Sequence, residues 1–133
     1  MNKLIIYIDG GARGNPGPAA IGVVIGRKSY REQIGNTTNN VAEYKASIFA
    51  LKKAKQLLGK GKSKSEIEIR TDSELLSKQL NAEYKIKDRE LQPLFIELWN
   101  LQQDFKKVKF VLVPREKNRE ADQLVNKALD TLL

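Results

Sequence analysis

Three strand-like segments fill the first 35 residues, and strands alternate with helical stretches after them. In a chain of 133 residues with 41% apolar side chains, these features predict an α/β fold. The expected architecture is a mixed five-stranded sheet with helices packed on it, in one domain over residues 1–133. A chain of this size buries roughly two-thirds of the surface its unfolded form exposes, so it needs no disulfide or structural metal to hold together.

Leu4 to Ile8 is a continuous apolar, β-branched run, the pattern of a strand buried on both faces. It ends at Asp9-Gly10-Gly11, and a long Gly/Pro loop follows through Pro18. Ala19 to Arg27 and Tyr30 to Gly35 read as a second and third strand joined in a hairpin. Thr38-Asn39-Asn40 offers capping side chains for a helix from Val41 to Leu58, and Gly59 is a natural stop. A Gly/Ser/Lys loop leads from Gly59 to Ser65. Glu66 to Asp72 alternates strictly, as a strand with one polar face does. Ser73 to Leu80 is a short helix and Asn81 to Asp88 a loop. A further helix runs through Leu91, Leu94, Leu98 and Phe105, with Pro93 in its first turn. Val108 to Val113 is the fifth strand, and Pro114 to Lys117 is a tight link. Asn118 caps a last helix that ends near Leu132.

Composition narrows the chemistry. The chain has no cysteine and no histidine, which excludes zinc fingers, disulfide scaffolds, Ser-His-Asp and Cys-His machinery, and any imidazole base. No apolar run is long enough to span a membrane. The apolar stretch after Met1-Asn2-Lys3 is too short for a signal peptide, and the lack of cysteine fits a reducing compartment, so the expected location is the cytoplasm. Twenty-four basic against 16 acidic residues give a net charge of +8, which favours a phosphate-bearing partner. Seven lysines and no acid lie between Tyr44 and Ser65, a pattern that also suits a solvated helix face.

Four acids stand where an ordinary protein would not place them. Asp9 ends an apolar strand, where an unpaired carboxylate is costly, although an Asp before Gly-Gly also opens turns. Counting about 100° per residue from Lys45, the residues Ala46, Ala50, Ala54, Leu57, Leu58 and Leu51 fall between about 100° and 240°. Glu43 falls near 160°, in the middle of that apolar face, unless it serves a capping box with Asn40. Asp72 ends the alternating strand and also suits a helix N-cap. Asp122 lies in the first turn of the last helix, above Val125 and Leu129, where the helix dipole also welcomes an acid. Two of the four end strands and two begin helices that must pack on the same sheet. Four carboxylates converging there would repel one another unless cations intervened. Oxygen donors without His or Cys select Mg²⁺ or Mn²⁺, and such sites suit phosphoryl transfer. Charge and carboxylates together point to a metal-dependent nuclease.

The motifs that carry these acids resemble those of the type 1 ribonuclease H family over almost the whole chain. They are Tyr7-Ile8-Asp9-Gly10-Gly11-Ala12-Arg13-Gly14-Asn15-Pro16-Gly17, Thr37-Thr38-Asn39-Asn40-Val41-Ala42-Glu43, Thr71-Asp72-Ser73, and Asn118-Arg119-Glu120-Ala121-Asp122. The resemblance implies a sheet in the order 3-2-1-4-5, with strands 1 to 3 antiparallel and strands 4 and 5 parallel to the first. It implies an endonuclease that cuts the RNA strand of RNA/DNA hybrids and leaves 5′-phosphate and 3′-hydroxyl ends. Two Mg²⁺ ions would be held by Asp9, Glu43, Asp72 and Asp122, with Mn²⁺ as an alternative and Asp9 bridging both. Substrate contacts are implied for Gly10, Gly11 and Asn39; for Asn15 and Thr38 at a DNA phosphate; and for Asn40 at RNA 2′-hydroxyls. Nothing in the resemblance demands a protein partner, so a monomer is expected.

The chain departs from the family in three places. Many members carry a histidine in the loop before the last carboxylate; here the loop is shorter, and Arg115 offers a permanent cation for phosphate or product release, not a base. Glu74 stands where many members have a substrate-contacting glutamine. The basic insertion that some members use is trimmed to Lys85 and Lys87, with Lys60, Lys62 and Lys64 as candidate substitutes. A catalytically weak or silent hybrid-binding module is the alternative, and retention of all four acids argues against it. A junction resolvase or transposase core would share the clustered acids but not the Asn15, Asn39 and Asn40 set.

Overall fold

The computed structural model describes residues 2–131. Five strands form its sheet: β1 (Asn2–Ala12), β2 (Gly17–Ile25), β3 (Lys28–Thr37), β4 (Ser65–Thr71) and β5 (Lys107–Leu112). Their order is β3-β2-β1-β4-β5. β1, β2 and β3 are antiparallel neighbours, while β4 joins β1 in parallel and β5 joins β4 in parallel. This is the sheet that the resemblance implies.

Four helices flank it: α1 (Asn39–Leu58), α2 (Glu74–Leu80), α3 (Leu91–Gln102) and α4 (Arg119–Asp130). α1 lies on one face against β1 and β2, and α3 packs on α1. Ala46, Ala50 and Ala54 let α1 approach Ile6, Ile8, Val23, Ile67 and Ile69, all of which are buried. α4 covers the other face over β2, β3 and the far end of β1, where Ala121, Leu124, Val125, Ala128 and Leu129 meet Ala20 and Val24. Two glycines permit these close crossings. A Cβ on Gly10 would strike the Ala42 backbone of α1, and one on Gly22 would strike the Ala121 carbonyl of α4.

Several expectations are corrected. β1 does not stop at Ile8; it continues through Asp9-Gly10-Gly11 to Ala12, because β2 pairs with it as far as Ala12↔Ala19. The connecting loop is correspondingly short. β1 is not buried on both faces: Ile6 and Ile8 are fully covered, but Ile5 is 36% exposed, since α4 covers only the far end of β1. Thr38 alone caps α1, its Oγ1 accepting from the Val41 N–H at 3.2 Å. Ser73 caps α2, accepting from the Leu76 N–H at 3.2 Å, which leaves Asp72 outside that role. The Gly59–Ser65 linker is largely a 3₁₀ turn over Gly59–Lys64. α3 ends at Gln102, and Phe105 reaches the core from the turn beyond it. α4 is described to Asp130; the expected helix end at Leu132 lies outside the described residues.

Candidate active site

The site forms where β1 and β4 part. Their pairing ends at Tyr7↔Arg70, so the last residues of both strands splay. Asp9, on β1, is only 8% exposed. Glu43, in the first turns of α1, is as deeply buried, and its Oε1 accepts from the Gly10 N–H at 2.6 Å. That bond replaces the capping-box role and fixes the Glu43 carboxylate beside Asp9. Asp72 follows β4, and Asp122 enters from the first turn of α4. One carboxylate oxygen each from Asp9, Glu43 and Asp72 lie within 4.8 Å of one another.

Burial and mutual repulsion govern the electrostatics. Asp9 is raised to about 8, first by burial, then by Asp72 and Asp122. Glu43 is raised well above its ordinary value by burial, then by Asp9 and Asp72; the Gly10 N–H opposes this. Asp72 is raised by burial, while Arg115 pulls it back. The donor set is wholly hard oxygen, and the charge is only slightly offset from within the protein. Both properties fit a divalent cation, which Asp9, Glu43 and Asp72 could hold together, with Asp122 lining the same cleft.

These carboxylates line a cleft of about 860 Å³ bounded by β1, the start of α1, the β5 end and α4. Gly10, Gly11, Asn39, Asn40, Glu74 and Arg115 also line it. Asn39 Oδ1 accepts from the Ala12 N–H at 2.8 Å, and Asn15 Oδ1 accepts from the Asn39 N–H at 3.0 Å. These two amides therefore lock the β1–β2 loop onto the start of α1. Asn40 is exposed at the rim. Glu74 is exposed and lies 3.8 Å from Lys78, one helical turn on. Asn15, exposed in the loop, and Thr38 at the helix start do not line the cleft.

The lysine substitutes are not at the cleft. Lys60, Lys62 and Lys64 lie at the opposite end of β4 from Asp72, about 20 Å along the strand. Lys52 and Lys55 pair with Glu97 and Asp104 of the α3 layer. The sequence reading missed Arg13, whose guanidinium lines the cleft and bonds Asp130 at 2.6 Å, and Asn118, taken there only as a cap. The buried contact of Asn118 lies 110 positions away in the chain, beyond any local pattern.

Comparison with known proteins places the chain among relatives. The family described as reverse transcriptase-like matches residues 7–128. Ribonuclease HI of Halobacterium salinarum is 38% identical over 93% of this chain and 63% of its own length. A bifunctional protein of Mycobacterium tuberculosis is 36% identical over 96% of this chain, which spans only 36% of that relative. The crystal structure of LC11-RNase H1 in complex with an RNA/DNA hybrid superposes with a TM-score of 0.90 at 45% identity, covering 96% of each chain.

Proposed function

The chain belongs to the ribonuclease H family, and from that premise we propose that it hydrolyses the RNA strand of RNA/DNA hybrids as an endonuclease. The observation that carries this reading is the clustering of Asp9, Glu43 and Asp72 in a cleft that Asp122 also lines, with so little internal neutralisation. Two Mg²⁺ ions, or Mn²⁺ in their place, would supply activation of an attacking water and stabilisation of the leaving oxygen, giving 5′-phosphate and 3′-hydroxyl ends.

The protein's own residues then select and hold the substrate. The Asn40 amide at the rim can both donate to and accept from a ribose 2′-hydroxyl, the group that tells RNA from DNA. Glu74 can accept from another 2′-hydroxyl. Gly10 and Gly11 keep the cleft floor free of side chains, so a nucleic-acid backbone can come close. Asn15 and Thr38 have used their oxygens on backbone N–H groups, which leaves the Asn15 amide hydrogens and the Thr38 hydroxyl hydrogen for a DNA phosphate. Arg115, beside Asp72, is a fixed cation for a phosphate and for product departure. With the lysine cluster at the far end of the sheet, hybrid binding is expected to be weak and to fall steeply with salt. The same reading places a monomer in the cytoplasm; among the described residues no helix is long and apolar enough to cross a membrane.

The test is cleavage of an end-labelled RNA/DNA hybrid with Mg²⁺, beside EDTA and Asp9→Asn controls, with duplex RNA and duplex DNA in parallel. Internal cuts in the hybrid's RNA strand alone, lost in both controls, are the expected result. Tight hybrid binding without cutting would overturn the enzyme reading in favour of a silent binding module.

A further inference from the structure

Asn118 sits at the junction of three of the four carboxylate mounts. It is 1% exposed and immediately precedes α4. Its side chain makes no capping bond to that helix. Instead Nδ2 donates to the Ile8 carbonyl at 2.8 Å. Ile8 is the first residue of β1 beyond its last pair with β4, and the residue before Asp9. The amide thus takes an acceptor that the diverging strand has released. The same side chain lies beside Asp72. The Asn118 carbonyl accepts from the Asp122 N–H at 3.1 Å, and its own N–H is held by the Arg115 carbonyl at 2.9 Å. Its Oδ1 is buried without a partner.

That last fact is informative. A buried amide normally satisfies both ends, and an orphaned acceptor is a cost to the fold. Here the donor end is committed to the gap between β1 and β4 while the acceptor end goes unmet. We propose that Asn118 is a positioning residue for the phosphodiester hydrolysis, setting the spacing of Asp9, Asp72 and Asp122 through the Ile8 carbonyl, the Asp72 carboxylate and the start of α4. It touches neither substrate nor reacting atoms. The proposal rests on the ribonuclease H reading, which wild-type cleavage of the hybrid tests separately.

A residue that only supported the fold would show its loss in stability. A positioning residue shows it in the site. The variants are Asn118→Ala, Asn118→Ser, which keeps one donor, and Asn118→Asp, which keeps the shape and loses the amide hydrogens. The readouts are hybrid cleavage across an Mg²⁺ titration, Mn²⁺ affinity of the free protein, and thermal midpoint in EDTA. Asn118→Ala is expected to lower kcat about 10- to 100-fold and to raise the Mg²⁺ needed for half-maximal rate about tenfold. Its metal-free midpoint should fall modestly, because the buried Ile8 carbonyl loses its donor while the orphaned Oδ1 is removed, so stability alone would not account for the change in Mg²⁺ dependence. Asn118→Ser should recover part of the rate, and Asn118→Asp should recover none. Full rate with unchanged Mg²⁺ dependence in Asn118→Ala would overturn the proposal. Should Asn118→Ala not fold, Asn118→Ser decides on the same readouts, and wild-type rate and Mg²⁺ dependence there would equally overturn it. If the wild type fails to cut the hybrid, the ribonuclease reading falls and Mn²⁺ affinity alone decides the positioning claim.

Discussion

Asp9 and Glu68 are carboxylates of adjacent strands, 8% and 6% exposed. Glu68 lies between two cations, with Lys3 Nζ at 2.9 Å and Arg70 Nε at 2.7 Å. Bonds to Lys3 and Arg70 lower its pKa. Asp9 is raised to about 8, first by burial and then by Asp72 and Asp122, with the Glu43 carboxylate also beside it. Similar exposure has opposite consequences: Asp9 lies deeper, where loss of hydration dominates and only other carboxylates are near, whereas Glu68 has two cations bonded to it. Glu68 belongs to the open part of the sheet, where Arg70 also bonds the Tyr7 hydroxyl. Asp9 belongs to the end where the strands part. The distinction separates structural from functional acids more sharply than exposure does.

The largest expected effect breaks the comparison at Asp9. Asp9→Asn should reduce hybrid cleavage by ~10³-fold or more, since metal-assisted charge stabilisation is worth several kcal/mol. Glu68→Gln should leave cleavage within about twofold in the same assay, because the Glu68 salt bridges lie outside the cleft. Its loss should appear in denaturant melts as about 1–2 kcal/mol, discounted for the exposure of Lys3 and Arg70.

The next effect comes from the backbone that seats Glu43. Gly10→Ala would drive a methyl into the Ala42 backbone, displacing α1 and the Gly10–Glu43 bond together. A loss of about 2–3 kcal/mol in stability, with activity falling alongside, is expected from chemical denaturation and cleavage rates. At Gly11 a methyl would meet Val125 at 3.7 Å and Asn39 Oδ1 at 4.0 Å, both ordinary contacts, so Gly11→Ala should fold nearly as well as the wild type.

Acidity should sharpen the contrast by giving the two acids opposite slopes. Asp9 has an unfolded pKa of about 3.9 and a raised folded one, so the folded state binds more protons between about pH 4 and about pH 8. Metal-free stability from this group is present at low pH and lost as pH rises through that window. Glu68 is lowered from an unfolded value of about 4.3, so its stabilisation is present above that pH and lost as pH falls through its folded pKa. Thermal midpoints in EDTA should therefore fall more gently toward pH 8 in Asp9→Asn, and less steeply at acid pH in Glu68→Gln. Mg²⁺ should restore the wild-type midpoint near pH 8 and leave that of Asp9→Asn unchanged. The smallest effect is at the cleft's edge. Arg115→Ala should lower cleavage about three- to tenfold and leave the midpoint near wild type, as a phosphate contact at an exposed position would.

Much of this was legible in the chain. The order of strands and helices followed from apolar runs and turn residues, and Glu43 declared itself by lying on the apolar side of its own helix. Readings that depended on distant partners were not legible. An Asn before a helix reads locally as a cap, so nothing near Asn118 reveals that its amide serves Ile8. The Ile5 exposure depends on how far α4 extends across the sheet, which an unbroken apolar run does not encode. Likewise, net charge counts Lys60, Lys62 and Lys64 but not the end of the sheet to which the 3₁₀ turn carries them. Asp72 escaped the cap role because Ser73, one residue later, supplies the oxygen.

On the proposed function, the carboxylates around Asp9 take a cation from outside the protein and Glu68 does not. Calorimetric titration of Mn²⁺ into the wild type, Asp9→Asn and Glu68→Gln at pH 8 tests it directly. The account predicts saturable binding to the wild type, binding of similar strength to Glu68→Gln, and at least about a tenfold weaker response from Asp9→Asn. Equal binding by all three proteins, or none by the wild type, would contradict it.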